Sequence, residues 1–329
     1  MKKYTISFLT ITLTVLMVAT LGTQSAVAQE DPTFSVSGTV DAYFRSSEFA
    51  PGTSFANLNG FALGMANIVL SYEGEKSGFV ADLVYGPRGA DAVFGSTGSS
   101  SIVNQLYVYY NVSDSFTLTM GNFNTFLGYE VISPAANFNY STSYMFSYGP
   151  FSHTGIKADF TLSDDVSLML GVLNTTDATE YQPADDDYMF GAQLGLYGQY
   201  INLLTGQGAT QIDFTGGIDL SDSFFLGVNA TSYEDDAIEF SGVALYPQYT
   251  FSDSFALGAR YETFTENGAL GAFGDGDNTS FTLTGSFTSG NMMLKPEFRI
   301  DSASDKFYTD SDGPTDSLAA FTVAAIYSF

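Results

Sequence analysis

The residues best placed for catalysis in this sequence are Ser152 and His153, because His153 is the single histidine of the chain. A serine with a histidine is a frequent pairing of nucleophile and general base in hydrolases. Here the two residues are consecutive in FSHTG, and consecutive side chains of a β-strand point to opposite faces. They cannot form a dyad, so we expect no enzymatic activity and a structural hydrogen bond from His153.

Two acidic stretches resemble calcium-binding loops, GDGDN at 274–278 and TDSDG at 309–313. Neither has the regular ligand spacing followed by a distant glutamate that such a loop requires. The chain also contains no cysteine, which removes thiolate ligands and disulfides. We expect solvated acidic loops without metal or cofactor. Loose binding of divalent cations that bridge lipopolysaccharide phosphates is the alternative.

Charged side chains recur at every second position of several segments, which places them on one face of a strand. In MMLKPEFRID (292–301), for example, charged residues alternate with apolar ones. We predict that the charged faces line a pore and set its ion preference, whereas pairing of opposite charges across neighbouring strands is the alternative. The candidate pore-lining residues are Arg45, Lys157, Arg260, Lys295, Arg299, Asp41, Asp82, Glu262 and Glu297.

A turn motif that occurs four times marks the elements that would hold these residues. The copies are VSDSFTL, LSDDVSL, LSDSFFLGV and FSDSFALGA, which begin at Val112, Leu162, Leu220 and Phe251. Serine and aspartate stabilise tight turns through bonds between their side chains and nearby backbone N–H groups. The copies begin 50, 58 and 31 residues apart. Each interval holds an even number of strands of roughly 9–11 residues, so all four turns fall on one side of the molecule.

Extending this pattern predicts an all-β protein, a transmembrane antiparallel up-and-down β-barrel with short periplasmic turns and long outer loops. Sixteen strands are expected, or fourteen if the glycine-rich region 188–210 holds no hairpin. Aromatic residues at strand ends, such as Tyr43, Tyr72, Tyr85, Tyr109 and Tyr110, suit the girdles at the two membrane interfaces. The predicted spans are 33–45, 60–73, 78–86, 101–112, 115–123, 150–162, 166–173, 188–197, 199–204, 210–220, 223–233, 239–251, 254–264, 279–288, 291–301 and 317–329.

Residues 1–28 have the features of a cleaved signal peptide: Lys2 and Lys3, an apolar run, and then Ala26-Val27-Ala28. Cleavage would leave a single barrel domain at 29–329. Without the two lysines, 10 − 2 = 8 basic residues stand against 36 acidic ones, a formal charge of −28. Such a surface repels nucleic-acid phosphates, which excludes nucleic acid as a partner.

The longest predicted loop, at about 124–150, carries Glu130 as its one charged residue among many aromatic and amide side chains. A loop extended into water would not need so many aromatic residues, whereas one packed in a barrel lumen would. We predict that this loop folds inward and that Glu130, Asn137 and Tyr140 lie at the constriction.

The segment GNFNTFLGYEVISPAANFNYSTSYMFSYGPFSHTG (121–155) resembles the putative β-barrel porin-2 (OmpL-like) family. That family commonly has a basic residue after the position of Ser141, where this sequence has Thr142. The resemblance implies an outer-membrane barrel with a pore and brings no particular solute. The matching positions are Gly121, Phe123, Thr125, Gly128, Tyr129, Glu130, Asn137, Ser141, Pro150, His153, Thr154 and Gly155.

These observations together predict a porin in the outer membrane of a Gram-negative bacterium, through which small hydrophilic solutes or ions diffuse passively. Acidic outer loops predict a weak preference for cations. The alternative is a non-conducting structural or adhesion barrel. The expected partners are outer-membrane lipid and lipopolysaccharide, the barrel-assembly machinery through the C-terminal Phe329 and, by analogy with general porins, two further copies in a homotrimer.

Overall fold

The computed structural model describes residues 32–181, 187–268 and 276–329. The predicted signal peptide, residues 1–28, lies outside this part of the chain, and so do residues 274 and 275 of the acidic GDGDN stretch.

Sixteen antiparallel strands form a closed barrel, as the alternation predicted. The region 188–210 does form a hairpin, β8 with β9, so the fourteen-strand alternative is wrong. Two short strands, β16 and β17, form a separate hairpin. The bounds are β1 Thr33–Arg45, β2 Gly60–Glu73, β3 Ser77–Tyr85, β4 Val103–Ser113, β5 Phe116–Asn124, β6 Ser152–Ser163, β7 Val166–Leu173, β8 Met189–Leu196, β9 Gln199–Gly206, β10 Ala209–Ser221, β11 Phe224–Glu234, β12 Glu239–Ser252, β13 Phe255–Asn267, β14 Gly276–Ser289, β15 Met292–Ala303, β16 Tyr308–Asp310, β17 Gly313–Thr315 and β18 Ser317–Ser328.

The barrel closes between its first and last strands. β1 pairs with β18 from Thr39↔Ser328 to Arg45↔Thr322. Beyond this register, Gly38 and Phe329 exchange two N–H···O bonds of 3.0 Å. The other wall strands pair with their neighbours in chain order. A closed order of this kind satisfies the backbone groups at what would otherwise be the edges of the sheet, which a wall in lipid requires.

The four repeated motifs form tight turns at one end of the barrel, which is called the turn end below. They join β4 to β5, β6 to β7, β10 to β11 and β12 to β13. In each, the hydroxyl of the first serine accepts the N–H two residues later, at 3.3–3.4 Å. Each of these serines also follows a shift in strand register. The motif recurs because the same turn, with the same irregularity, ends four hairpins.

The wall has apolar side chains outside and polar side chains inside, the reverse of a soluble barrel. On β15, Phe298 and Ile300 are exposed, whereas Glu297, Arg299 and Asp301 are buried. This arrangement suits a wall with lipid on its outer side. The same alternation corrects part of the expected aromatic girdle. Tyr72, Tyr85 and Tyr110 are exposed as a girdle requires, but Tyr43 is buried on the inner face and Tyr109 faces an internal cavity.

The opposite end, called the loop end, carries the longer connections. Short helices lie in two of these connections: α1 (Pro87–Ala92) and a 3₁₀ turn at Gly98–Ile102 between β3 and β4, and α2 (Tyr144–Tyr148) between β5 and β6, which packs inside the wall. Within the described ranges, no helix has the length and hydrophobicity to cross a bilayer.

Candidate pore constriction

Residues 125–151, between β5 and β6, pack against the inner face of the wall and are called the inner loop below. Glu297 and Arg299, whose neighbours on β15 face outward, both bond to its backbone. A buried loop with little regular structure must find partners for its backbone N–H and C=O groups. The wall supplies many of them with charged side chains.

Three local features set the path of the inner loop. Gly128 has a φ of +85°, a left-handed conformation that favours glycine. The side chain of Asn137 accepts the N–H of Val131 at 2.8 Å and donates to its C=O at 2.6 Å, which clamps the intervening residues into a compact turn. Ser143 then caps α2 by accepting the N–H of Phe146 at 3.0 Å.

An ion pair joins the inner loop to β13. A terminal nitrogen of Arg260 lies 2.6 Å from a carboxylate oxygen of Glu130, and both side chains are buried. The same nitrogen donates to the C=O of Ser141 at 2.7 Å, and the second oxygen of Glu130 accepts the N–H of Ser143 at 2.8 Å. Arg260 and Glu130 therefore hold two distant parts of the inner loop against each other and against the wall.

Two wall carboxylates bind N–H groups of the inner loop. Glu262 accepts the N–H groups of Tyr144 and Met145, the first residues of α2, at 3.0 and 2.8 Å. Glu297 does the same for residues 140 and 141, at 2.7 and 3.0 Å. Each carboxyl group uses its two oxygens for two consecutive N–H groups, so none of these four donors is left unpaired in the interior.

Two wall cations bind C=O groups of the inner loop in the same way. Arg299 donates to the C=O of Thr142 at 2.7 Å and pairs with Asp301 at 2.7 Å. Lys295 donates to the C=O of Pro134 at 3.1 Å and to a second loop carbonyl. Carboxylates take the loop's donors and cations take its acceptors, so both kinds of backbone group are satisfied.

Buried tyrosines of the inner loop bond back to wall aspartates. The hydroxyl of Tyr140 donates to Asp41 at 2.5 Å, and that of Tyr144 donates to Asp301 at 3.0 Å. Burial, and then the nearby aspartate, raise the pKa of each hydroxyl above its ordinary value. Both tyrosines therefore remain protonated donors.

The structure places the nine predicted pore-lining residues on the inner face, but mostly out of reach of solvent. Eight of them are between 0% and 6% exposed. Arg45 bonds the C=O of Phe49 at 2.5 Å, and Asp82 accepts from the side chains of Asn67 and Asn104 at 3.0 and 2.6 Å. The exception is Lys157, with 24% of its side chain exposed. That these residues line a pore stays a prediction.

Cavities of a few hundred Å³ border the inner loop. The first, of about 390 Å³, lies beside β12–β15, and Tyr129, Asn137 and Gln248 are part of its lining. The second, of about 400 Å³, lies beside β4–β8 and is called the Lys157 cavity below. The third, of about 290 Å³ at the loop end, is lined in part by Tyr148. The last two are water-accessible spaces on either side of an apolar cluster.

This apolar cluster is buried between the inner face of β5–β9 and the start of the inner loop. Met189 and Leu204 line the loop-end cavity, while Phe123 lines the Lys157 cavity, so the cluster borders both. Phe126 of the inner loop packs against it. In a pore, an apolar lining of this kind would resist water and ions more than a polar one of the same width. The members of the cluster are Phe123, Leu127, Leu173, Met189 and Leu204.

His153 is fully buried at the start of β6 and bonds to the inner loop. Its Nε2 lies 3.0 Å from the hydroxyl of Thr125, and its ring lies 5.1 Å from that of Phe126. The backbone N–H of Ser152 donates to Asp177. His153 thus fixes the base of the inner loop. Among the described residues, no cluster of histidine and carboxylate side chains has the arrangement of a metal site.

Two anchoring residues were missed by the sequence reasoning because they lie in connections without alternation. Arg88 in α1 donates to the C=O of Ile132 at 2.9 Å, and burial lowers its pKa. Asp177, between β7 and β8, accepts the N–H groups of Phe151 and Ser152 at 2.7 and 2.8 Å. Burial raises the pKa of Asp177 to about 6. No periodic signal marks either residue.

Solved outer-membrane barrels share this architecture at low sequence identity. An anion-selective porin from Comamonas acidovorans aligns at 12% identity and a TM-score of 0.59, with 91% of this chain and 100% of that chain covered. The in-vitro folded trimer form of OmpT from Vibrio cholerae aligns at 12% and 0.56, with 91% and 100% covered. OccK1 (OpdK) from Pseudomonas aeruginosa aligns at 9% and 0.51, with 92% and 99% covered. These likenesses show the fold alone.

Comparison with curated proteins returned no match. A family model does match, over residues 33–329, which includes all sixteen wall strands. Its description is putative beta-barrel porin-2, OmpL-like. The motif in the inner loop and the closed wall agree with this result, and the chain belongs to the putative beta-barrel porin-2, OmpL-like family.

Proposed function

We propose that this chain is a porin of the outer membrane of a Gram-negative bacterium that passes small hydrophilic solutes and ions by passive diffusion. The observation that carries the proposal is the closed sixteen-strand wall, polar inside and apolar outside, with a loop fastened within it. A barrel of this strand number has room for an aqueous channel. We expect no hydrolase activity, and His153→Ala should leave any background activity unchanged.

The permeation path, in this proposal, runs along β4–β8. The inner loop is fastened to β13 and β15 by buried charges, whereas the β4–β8 side retains the Lys157 cavity. The apolar cluster at Leu173 and Leu204 would be the narrowest point between this cavity and the loop end. A path through such a cluster predicts a small conductance. Replacing Leu204 by serine should raise it, while Leu203→Ser, on the outer face of the same strand, should not.

A weak preference for cations follows from charge. Asp41, Asp82 and Asp213 each accept hydrogen bonds from neutral groups, so their charges add to a negative potential inside the wall. The acidic connections at the loop end act in the same direction. A reversal potential measured in a salt gradient tests this, and an anion preference would contradict it.

The deciding experiment is single-channel recording from refolded residues 29–329 in a planar bilayer. Discrete, stable current steps are expected, and removal of residues 138–148 should enlarge them. Circular dichroism must show folded β-structure in the same preparation. Folded protein without current in the wild type and in the deletion would contradict the porin proposal.

One observation favours a second candidate, a non-conducting structural or adhesion barrel. Eight of the nine charged residues expected to line a pore are at most 6% exposed, so the inner loop fills much of the lumen. This candidate predicts current from the loop deletion but none from the wild type. The same recordings therefore separate the two functions.

Assembly in the membrane is also a proposal. We expect a homotrimer, since one structural neighbour is described as a trimer form. Analytical ultracentrifugation in detergent would measure the oligomeric state, and a single monomer peak would contradict the homotrimer.

We also expect Phe329, which is half exposed at the end of the closing strand, to be recognised by the barrel-assembly machinery. Phe329→Ser should then lower the amount of folded barrel in membranes. The exposed apolar face would contact outer-membrane lipid and lipopolysaccharide.

A further inference from the structure

The Lys157 cavity differs from the cavity beside β12–β15 because its charged side chains, Lys157 and Asp159, pair with each other and do not anchor the inner loop, although Gln193 donates to the C=O of Phe126 at 3.1 Å. It is lined by charged, amide, hydroxyl and aromatic side chains from β4–β8 and the start of the inner loop. Its volume of about 400 Å³ lies within the roughly 300–1,000 Å³ typical of small-molecule sites. The lining residues used below are Tyr107, Tyr109, Asn124, Phe126, Lys157 and Asp159.

The charges of the cavity are balanced. The Nζ of Lys157 lies 2.7 Å from a carboxylate oxygen of Asp159, and both side chains keep contact with solvent. The ammonium also lies 5.5 Å from the ring centroid of Phe123. A paired cation and anion give little net attraction to an ionic solute, yet each still offers hydrogen bonds. This lining therefore favours a neutral solute with donors and acceptors.

The aromatic lining adds flat apolar surfaces. Tyr107, Tyr109 and Phe126 are half-buried, so part of each ring faces the cavity. Aromatic rings with polar groups at their margins suit a partner that is itself flat and apolar on one face and polar at its edge. A pyranose ring has this form, because its C–H groups lie on a face and its hydroxyls lie around the rim.

One buried acceptor in the lining lacks a donor. Within the described part of the chain, the side-chain oxygen of Asn124 is buried and has no hydrogen-bond partner. The backbone N–H of Asn124 is fixed by the side chain of Gln105 at 3.1 Å, which holds the residue in place. Because this oxygen is shielded from solvent, a hydroxyl of a bound solute would meet it only after the Asn124 side chain turns toward the cavity, and the bond would then recover the free energy that an unpaired acceptor costs.

We propose that the Lys157 cavity is a solute-binding subsite for a neutral, polyhydroxylated ring, about one or two sugar units in size. The ring stacks on Tyr107, Tyr109 or Phe126 and donates a hydroxyl to Asn124. Other hydroxyls bond the Lys157–Asp159 pair. The role of this subsite on the permeation path rests on the proposed porin function. Binding of the solute at the subsite does not depend on conduction.

The test is isothermal titration of refolded residues 29–329 in detergent with glucose and maltose, each compared with glucuronate and glucosamine, which keep the ring and add a charge. We expect weak, saturable binding of the neutral sugars, with the two charged analogues at least about fivefold weaker because the site has no net charge. Asn124→Ala and Tyr109→Leu should each weaken sugar binding about five- to tenfold. Gln248→Leu, in the cavity beside β12–β15, is the matched control and should leave it unchanged.

The outcomes separate this subsite from the porin proposal. Sugar binding that falls in the two variants and not in the control supports the subsite, whether or not the protein conducts. Conducting protein that binds no sugar overturns the subsite and leaves the porin intact. Binding that is equal in all variants, or tighter for glucuronate or glucosamine than for glucose, also overturns the assignment. If Asn124→Ala does not fold, Tyr109→Leu, which changes a different strand, still tests the subsite.

Discussion

The two sides of the barrel lumen use similar residues in opposite ways. On the anchored side, β12–β15, the charges of Arg260, Glu262 and Glu297 are buried and bond the inner loop. On the open side, β4–β8, Lys157 and Asp159 pair with each other and remain partly exposed. Both sets sit at alternate positions of strands. The alternation of a strand therefore determines only that a charged side chain faces inward. Whether the inner loop covers that side chain determines whether it anchors the loop or keeps contact with solvent.

The cause of the difference lies in where the inner loop goes. Its middle, residues 130–145, places backbone N–H and C=O groups against the anchored side. There, buried charged side chains form hydrogen bonds with these groups. On the open side it brings Phe126, which packs where Gly191 leaves space on β8. An apolar ring needs no charged partner, so Lys157 and Asp159 are left to solvent.

The strongest test of this contrast compares one substitution on each side. Arg260→Met leaves Glu130 buried without its cation, which should lower the free energy of unfolding by about 3–5 kcal/mol. Lys157→Met removes one partner of an exposed pair and should cost less than about 1 kcal/mol. Urea unfolding of both variants in detergent, followed by tyrosine fluorescence, measures the two losses. Equal losses would mean that the two sides do not differ as described.

A smaller effect is expected when only the charge of an anchor is removed. Glu297→Gln keeps one acceptor for the N–H groups of residues 140 and 141 but loses the ionised character of the bonds, at a cost of about 1–2 kcal/mol. Hydrogen exchange at these two amides should accelerate, because they lie where the anchor acts. Asp159→Asn is the control on the open side and should leave their exchange unchanged.

A third comparison concerns ions rather than stability. If the open side is the permeation path, Lys157→Gln should raise the cation-to-anion permeability ratio about twofold, and Asp159→Asn should lower it by a similar factor. Glu266→Gln, a buried carboxylate on β13, should change the ratio less. Reversal potentials in a salt gradient give all three values. A larger change from Glu266 than from Lys157 would place the path on the other side.

The fold could be predicted in detail from the sequence because a barrel wall repeats one rule. Alternation and the serine turns predicted all sixteen wall strands, including β8 and β9, whose glycine content weakened the signal. The rule did less well for aromatic residues. Tyr43 stands at the alternate position between Asp41 and Arg45 and shares their inward face, but its residue type and its place near a strand end suggested a girdle instead.

The site could be predicted only in part, since its contacts join residues far apart in the chain. Composition pointed to the inner loop and to Glu130 as its one charged residue, but no pattern identified Arg260, one of the basic residues on the wall, as the partner of Glu130. Arg88 and Asp177 lie in irregular connections and were not predicted at all. Burial of the wall charges was not foreseeable either, because it depends on the path of the inner loop.

Asp177 offers the smallest and most specific test, at the point where the inner loop ends. Its pKa is raised from 3.8 to about 6 by burial, although it accepts two backbone N–H groups. A carboxyl whose pKa is higher in the folded state stabilises the fold below its unfolded pKa and loses that contribution as the pH rises through about 6. The midpoint of thermal unfolding of the wild type should therefore fall more between about pH 4 and pH 7 than that of Asp177→Asn, because the buried carboxyl must ionise over that range. Repulsion among the many other carboxylates changes equally in both proteins, so the difference between the two curves isolates Asp177. Parallel curves of unfolding midpoint against pH for the two proteins would contradict this prediction. They would show that the protonation state of Asp177 does not affect how firmly the end of the inner loop is held.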